Sequence, residues 1–154
     1  MARLPAATRL VMKLDVWSVR LTGGSFFMWL FSHAQGLARD PQLKGRKAQA
    51  LVLVTTGRRS GRQRQVVLPC FNFGGRTFVV GSKGGAPEDP DWVQNLRRSP
   101  QALVYMNRKP HRVNTRIATA AERAVLWPQL TAFAPTYAGY QAGVAREIPL
   151  ILLE

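Results

Sequence analysis

The chain has 154 residues, of which 46% are hydrophobic, and it carries a formal net charge of +14. This length suits one domain with one sizeable core, and the hydrophobic content excludes an intrinsically disordered chain. The positive charge favours partners that are negative: nucleic acid, anionic lipid or a small polyanion. The single cysteine, Cys70, excludes an internal disulfide, and its apolar neighbours predict a small buried hydrophobe rather than a nucleophile.

The N-terminal residues 1–45 are predicted to form a helical segment, with helix over 8–37 and a break near Gly23-Gly24. Polar residues interrupt the aromatic stretch "VWSVRLTGGSFFMWLFSHAQGLA", so it predicts neither a good membrane-spanning helix nor a signal peptide. Two interpretations stay open. In the first, these helices pack on the core or on another subunit. In the second, the aromatic side chains enter a membrane interface while Lys13 and Arg20 face the head groups.

After residue 45 the apolar period changes and predicts six short strands. We expect them at residues 50–56, 64–73, 76–82, 102–107, 111–118 and 148–153. Pro69 indicates an edge position or a bulge, and Gly74-Gly75 indicates a hairpin turn. Short strands joined by tight turns are typical of an antiparallel barrel or sandwich.

Three helices are predicted among these strands. Asp89-Pro90 has the form of an N-cap followed by proline at the first helical position, for a helix that ends near residue 98. Thr119 and Glu122 form a capping box that opens a second helix, which Pro128 should kink or end. A short third helix is expected around residues 137–144.

The stretch "TTGRRSGRQRQVVL" concentrates arginines in the turn between the first two strands. No Asp or Glu occurs from Pro41 to Pro87, so the positive charge there is not balanced locally. Glycines let a backbone approach a ligand closely, and guanidinium groups bind phosphate and carboxylate through paired hydrogen bonds. Several arginines on one hairpin predict a ligand with several anionic groups; a generic basic surface is the alternative.

The stretch "GSKGGAPEDPDW" follows the third predicted strand. Backbone N–H groups, a lysine and a serine hydroxyl there could hold a phosphate or a polar ring edge. Neither the Walker spacing nor the Rossmann fingerprint is present, and an ordinary loop is the alternative interpretation.

Two tyrosines, Tyr137 and Tyr140, are three residues apart and share one face of the last predicted helix. Core packing and a role in a site are equally open for them. The sequence has no zinc-ligand cluster, no nucleophile elbow and no evident carboxylate pair. A protein with so little chemistry of its own is expected to borrow a reactive group from a cofactor.

Taken together, the motifs resemble the deazaflavin-dependent nitroreductase family. The similarity covers about residues 50–154 and is carried by "TTGRRSG", "SKGG", "DPDWVQNL", "LWPQL", "PTYAGYQ" and "REIPLILL". It implies a mainly β fold with flanking helices, in which residues 46–154 form a six-stranded antiparallel split β-barrel. It also implies reduced coenzyme F-420, an 8-hydroxy-5-deazaflavin whose phosphodiester and glutamate tail would suit the arginine hairpin.

The resemblance also implies site residues. Tyr137 and Tyr140 would line the acceptor side, and Ser82 would polarise the edge of the coenzyme ring. The implied cofactor-binding residues are Thr56, Gly57, Arg58, Arg59, Ser60, Arg64, Ser82, Lys83, Gly84, Gly85, Trp92 and Asn95.

The expected activity is transfer of a hydride from the reduced coenzyme to a quinone, or to a nitroaromatic or enone as a promiscuous substrate. A tyrosine or water would supply the proton. We expect a cytoplasmic protein, peripheral on the inner membrane face if the N-terminus enters lipid, with a homodimer as one option. The alternatives are a non-catalytic coenzyme carrier, an FMN-binding barrel and a nucleic-acid-binding protein, the last of which the sequence disfavours because it lacks interleaved aromatics.

Overall fold

The computed structural model describes residues 6–22 and 49–154. Its helices and strands in chain order are α1 (Ala6–Thr22), β1 (Gln49–Thr56), β2 (Gln63–Phe73), β3 (Arg76–Val80), α2 (Asp91–Arg98), β4 (Gln101–Met106), β5 (Lys109–Ile117), α3 (Ala120–Phe133), α4 (Thr136–Ala142) and β6 (Leu150–Leu153).

The six strands form a closed antiparallel barrel in the order β1-β2-β3-β6-β5-β4. Its interior is filled by apolar side chains from alternate strand positions, including Leu51, Leu53, Val79 and Ile151. Helix α2 packs against this interior through Trp92, Val93 and Leu96, so it closes one end of the barrel. The predicted six-stranded antiparallel split barrel is confirmed.

Cys70 belongs to this interior and is 4% exposed. Burial raises the pKa of the Cys70 thiol to about 12, so the reactive thiolate is absent at neutral pH. The prediction that Cys70 is a buried hydrophobe is therefore confirmed.

At the neighbouring Pro69, β2 pairs only with β1, because its pairing with β3 begins at Cys70. The missing N–H of Pro69 therefore falls at an edge position, as predicted.

A second core covers the outer face of β2, β3 and β6. Leu126 and Leu130 of α3 and Tyr137 of α4 pack there on a cluster of phenylalanines that includes Phe71 and Phe78. The ring centroids of those two phenylalanines are 5.7 Å apart. This core fixes where α4 and its tyrosines lie relative to the barrel.

Helix α1 covers the outer face of β1. Its Val19 packs on Ala50, Val52 and Val54, and the Arg20 guanidinium lies 4.2 Å from the centre of the Tyr105 ring. The helix predicted before Gly23 is thus confirmed, and residues 23–37 of that prediction lie outside the described residues. The division of the chain at 45/46 stays a prediction.

Local signals were right at one helix start and wrong at another. Thr119 and Glu122 form the predicted capping box at α3. Asp89 does not cap α2, whose N-cap is Pro90; the Asp89 carboxylate instead accepts from Arg146 and Arg97, since charged donors bind it more strongly than a backbone N–H. Pro128 does not end α3, which continues to Phe133; proline removes only one hydrogen bond of that helix.

Within residues 6–22 and 49–154, no helix is long and apolar enough to cross a membrane.

Candidate functional site

A compact turn joins β1 to β2 and carries the arginines. The Gly57 N–H donates to the Arg62 carbonyl at 2.9 Å, and the Gly61 N–H donates to the Gly57 carbonyl at 2.8 Å. A Cβ on Gly57 would lie 3.0 Å from the Arg62 carbonyl oxygen, so this position favours glycine. Gly61 has φ of +65°, which also favours glycine. The sequence therefore forms a tight turn that projects its cationic side chains outward.

Asn95 of α2 holds this turn in place. Its Nδ2 donates to the Thr55 hydroxyl at 3.0 Å, and its Oδ1 accepts from the Arg58 backbone N–H at 3.0 Å. Asn95 is only 4% exposed. Since buried polar groups are costly when unpaired, these two bonds fix the hairpin relative to the helix that closes the barrel.

A cavity of about 550 Å³ lies between the hairpin and α2, a size typical of small-molecule sites. On its rim the Arg58 guanidinium donates to the Asp91 carboxylate at 2.9 Å. This hydrogen bond lowers the pKa of Asp91, and the charges of Lys83 and Arg59 lower it further. Within the described chain, Arg59 and Arg64 form no ion pair, so their charges are available to an anion.

The turn after β3 presents backbone N–H groups, and its one cation, Lys83, lies 3.5 Å from the Glu88 carboxylate. Ser82 is right-handed at φ −73° and ψ −37°, whereas Lys83 at φ 49° and Gly84 at φ 64° are left-handed. The Gly85 N–H donates to the Ser82 carbonyl at 3.0 Å, but the N–H groups of Lys83 and Gly84 have no partner among the described residues. A right-handed residue followed by a left-handed one forms a concavity that binds anions. We call residues 82–85 the amide turn.

The two tyrosines of α4 differ in their surroundings. Tyr137 is buried, and its ring stacks edge-on against Phe71 at 5.8 Å and against Tyr140 at 6.0 Å. Burial raises the pKa of the Tyr137 hydroxyl well above its usual range. Tyr140 is half-buried and touches the amide turn: a Cβ on Gly85 would lie 3.3 Å from its ring. Tyr140 is therefore the tyrosine that adjoins the candidate site.

The structure groups the predicted site residues into three sets. Thr56 lines a separate cleft of about 450 Å³, which residues of β4 and β5 also line. The amide turn and Tyr140 form a second set outside the lining of the cavity, and the charge of Lys83 contributes to lowering the pKa of Asp91 on the cavity rim. The cavity itself is lined by Gly57, Arg58, Arg59, Ser60, Arg64, Trp92 and Asn95.

Sequence reasoning missed several residues of the site. Asp91, Gln65 and Val66 also line the cavity. Asp91 had a readable signal, since it is one of three acidic residues, with Glu88 and Asp89, that follow the acid-free basic stretch and precede a predicted helix. The partnership of Asp89 with Arg146, 57 residues away, had no local signal.

Comparison with known proteins places this chain in a family. The model of the F420H2-dependent quinone reductase family matches residues 30–154. An F420H2-dependent quinone reductase of Mycobacterium tuberculosis is 30% identical over 107 residues, which is 68% of this chain and 72% of that protein.

Two solved structures show the same fold. An F420H2-dependent reductase superposes with a TM-score of 0.61 at 32% sequence identity, covering 68% of this chain and 93% of the other. A structure described as a domain-swapped dimer superposes with a TM-score of 0.62 at 27% identity, covering 84% of this chain and 100% of the other.

The fold and the site define a split-barrel oxidoreductase that uses a deazaflavin. The chain belongs to the F420H2-dependent quinone reductase family. It is thus an oxidoreductase that uses coenzyme F-420 and acts on quinones, and the resemblance seen in the sequence is confirmed.

Proposed function

We propose that the hairpin, the amide turn and Tyr140 together hold reduced coenzyme F-420 against a quinone. The residues present fit this coenzyme. Exposed guanidinium groups match its anionic tail, unpaired backbone N–H groups match a phosphate or a carbonyl edge, and the cavity is of suitable size. The reduced coenzyme supplies a hydride from C5 of its ring.

In this proposal the hairpin binds the tail. Arg59 and Arg64 are exposed, form no ion pair within the described chain, and lie on the rim of the cavity. Guanidinium groups bind phosphate and carboxylate oxygens through charge-assisted hydrogen bonds. Arg58 is held by Asp91 and keeps its other nitrogen atoms for the phosphate. The tail thereby anchors the coenzyme without contacting its reacting atoms.

The amide turn positions the ring. The free N–H groups of Lys83 and Gly84 and the Ser82 hydroxyl would donate to the polar edge of the ring. The two N–H donors belong to the backbone and need no side-chain ordering when the ligand binds. Trp92, buried beneath the cavity, gives the site an apolar floor that excludes water.

The acceptor would lie beside Tyr140. A quinone that receives a hydride becomes a hydroquinone once it also takes one proton, so the balance needs a proton donor at the acceptor oxygen. Tyr140 is half-buried next to the amide turn and can orient that oxygen or donate the proton. Tyr137 has a raised pKa and packs behind it, so its part is to support the Tyr140 ring. Nitroaromatics and enones are electron-poor in the same way and are expected as promiscuous acceptors.

The observation that carries this proposal is that unpaired cations on a cavity rim and unpaired backbone N–H groups of a second turn lie at the same end of the barrel. The test is oxidation of reduced coenzyme F-420 by menadione, followed by coenzyme absorbance, together with fluorescence titrations of coenzyme F-420 and FMN. We expect turnover and preferred binding of coenzyme F-420. Tight binding without oxidation would identify a carrier, and preferred binding of FMN would overturn the choice of coenzyme.

The exposed face of α1 also belongs to this proposal. It carries Leu14, Trp17 and Leu21, which are 59%, 66% and 50% exposed. This apolar row supports peripheral contact with a membrane, where a lipid-soluble quinone would be found. Co-sedimentation with anionic vesicles should fall when Trp17 is replaced by serine.

The neighbour described as a domain-swapped dimer supports a homodimer as the assembled form of this chain. Light scattering coupled to gel filtration measures that mass directly. A mass of one chain at all concentrations tested would contradict the dimer.

A further inference from the structure

Arg146, which follows α4, binds three backbone carbonyls in the amide turn and on either side of it. Its guanidinium donates to the carbonyls of Ser82 at 2.9 Å, Gly81 at 3.2 Å and Ala86 at 3.0 Å. It also pairs with the Asp89 carboxylate at 2.7 Å. One side chain thus bonds to residues before, within and after the amide turn.

These contacts are shielded from water. The side chains of Arg146 and Asp89 are 15% and 10% exposed. Asp89 also accepts from Arg97 of α2 at 2.6 Å, so the turn is connected to the helix that closes the barrel. Charge-assisted bonds in such surroundings are stronger than exposed ones and hold one geometry.

The hydrogen bonds from Arg146 fix the orientation of a peptide group in the amide turn. The Ser82 carbonyl, held by Arg146, belongs to the same peptide group as the free Lys83 N–H. Rotation of that planar group would turn its N–H away from the concave face of the amide turn. Lys83 is also a non-glycine residue at φ 49°, a conformation that persists only where surrounding contacts enforce it.

We propose that Arg146 is a positioning residue that fixes the amide turn, and through it the place of the coenzyme ring relative to the acceptor. This inference rests on the proposed function of the amide turn. Arg146 itself does not touch the coenzyme. Lysine cannot replace it, because a single ammonium group cannot reach several carbonyls and a carboxylate in a fork.

The test compares Arg146→Lys and Arg146→Gln with the wild-type protein. The coenzyme Kd is measured by fluorescence, and hydride transfer to menadione is measured in single turnovers at saturating coenzyme. We expect the transfer rate to fall by about tenfold or more in both variants, because small displacements of a reacting atom reduce rates steeply. The Kd should change by less than about threefold, since the hairpin that binds the tail is intact.

Arg116→Gln is the matched control. Arg116 also makes several charge-assisted bonds, to Glu122 at 2.6 and 2.8 Å and to Glu154 at 2.8 Å, but none of them involves the amide turn. We expect it to lower Tm without changing the saturated rate. A purely structural role for Arg146 would likewise lower Tm and leave that rate within about twofold of wild type, and this result would overturn the proposal.

A second readout does not depend on turnover. In amide NMR spectra, binding of oxidised coenzyme F-420 should shift the Lys83 and Gly84 resonances of the wild-type protein and shift them much less in Arg146→Lys. Equal shifts in both proteins would overturn the positioning role. If the wild-type protein shows these shifts yet does not oxidise the reduced coenzyme, the proposed function fails while the role of Arg146 stands.

Discussion

Two turns at the same end of the barrel offer different physical means of binding a ligand. The β1–β2 hairpin presents guanidinium groups on long exposed side chains, whereas the amide turn presents backbone N–H groups held by buried contacts. Exposed charges act over several ångströms, are screened by salt and tolerate imprecise placement. Fixed backbone donors act only at hydrogen-bond distance. Under the proposed function, this difference separates affinity from positioning: the hairpin would bind the tail and the amide turn would place the ring.

The largest expected effect removes what supports the hairpin. Asn95→Ala deletes both the bond to the Thr55 hydroxyl and the bond from the Arg58 N–H, leaving two polar groups unpaired in a buried place. We expect the free energy of unfolding to fall by about 2 kcal/mol or more, measured by urea denaturation. The coenzyme Kd should rise with it, because Arg58 loses its fixed position.

Gln94→Ala serves as the control, since the Gln94 side chain forms no hydrogen bond within the described residues, while its backbone N–H donates to the Pro90 carbonyl. Equal stability of Asn95→Ala and Gln94→Ala would show that α2 does not hold the hairpin.

The next experiment tests whether the hairpin binds the coenzyme tail through electrostatic attraction. The double variant Arg59→Ala with Arg64→Ala removes two exposed cations from the rim of the cavity. We expect binding of long-tailed coenzyme to weaken by about tenfold at low salt, since each exposed charge pair contributes up to about 1 kcal/mol. Short-tailed coenzyme should lose less, and high salt should reduce the difference. Fluorescence titration at two salt concentrations measures this.

The matched control, Arg108→Ala with Lys109→Ala, changes the net charge equally at the β4–β5 turn. The strand register places that turn toward the Gln49 end of β1, opposite the hairpin. If both double variants weakened binding alike, net charge rather than the hairpin would be responsible. Equal loss for short and long tails would limit these arginines to the phosphate.

These two turns also differ in how far the sequence could predict them. The hairpin was predictable because its signal is local: four arginines and two glycines lie within nine residues of each other, without a compensating acid. The capping box at Thr119 was predictable for the same reason. The strands were recognised to within a few residues at their ends from their apolar runs.

The support of the amide turn was not predictable, because Arg146 contacts residues 57 to 65 positions away. From its sequence neighbours alone, Asp89 was predicted to be a helix cap. Its actual partners, Arg97 and Arg146, are brought next to it by the tertiary structure. The tyrosines were likewise ambiguous. Spacing puts Tyr137 and Tyr140 on one helix face, but only packing shows that Phe71 buries the first and the amide turn borders the second.

A third experiment perturbs the amide turn without changing any charge. Gly85 has φ of +78°, and a Cβ there would lie 3.3 Å from the Tyr140 ring. In Gly85→Ala we expect the tyrosine to shift and the rate of quinone reduction to fall by about threefold to tenfold. The dependence of coenzyme affinity on tail length should be the same in this variant as in the wild-type protein. Steady-state and single-turnover rates measure the loss.

Gly75→Ala is the control for backbone strain. Gly75 has the same φ of +78° in the β2–β3 turn, and a Cβ there would meet nothing within 4 Å. Both variants should lose similar stability, of about 1 kcal/mol, from the left-handed conformation. A normal rate of quinone reduction in Gly85→Ala would show that Tyr140 has no part in the reaction and serves only in packing.

The smallest effect concerns the single carboxylate that pairs with the hairpin. Asp91 is 79% exposed on its side chain and holds Arg58 at 2.9 Å. The pKa of Asp91 is lower in the folded protein, so this pair stabilises the fold at pH values above the ordinary aspartate pKa, and that contribution is lost as pH falls through the lowered value. Exposure keeps the contribution below about 1 kcal/mol.

Asp91→Asn should therefore leave the free energy of unfolding at neutral pH almost unchanged. Removing a negative charge beside the bound tail should tighten coenzyme binding by about twofold to threefold at low salt, and by less at high salt. If binding weakened instead, Asp91 would matter chiefly as the partner that orients Arg58. The hairpin would then resemble the amide turn, using a fixed geometry rather than charge alone, and the separation of affinity from positioning would not hold.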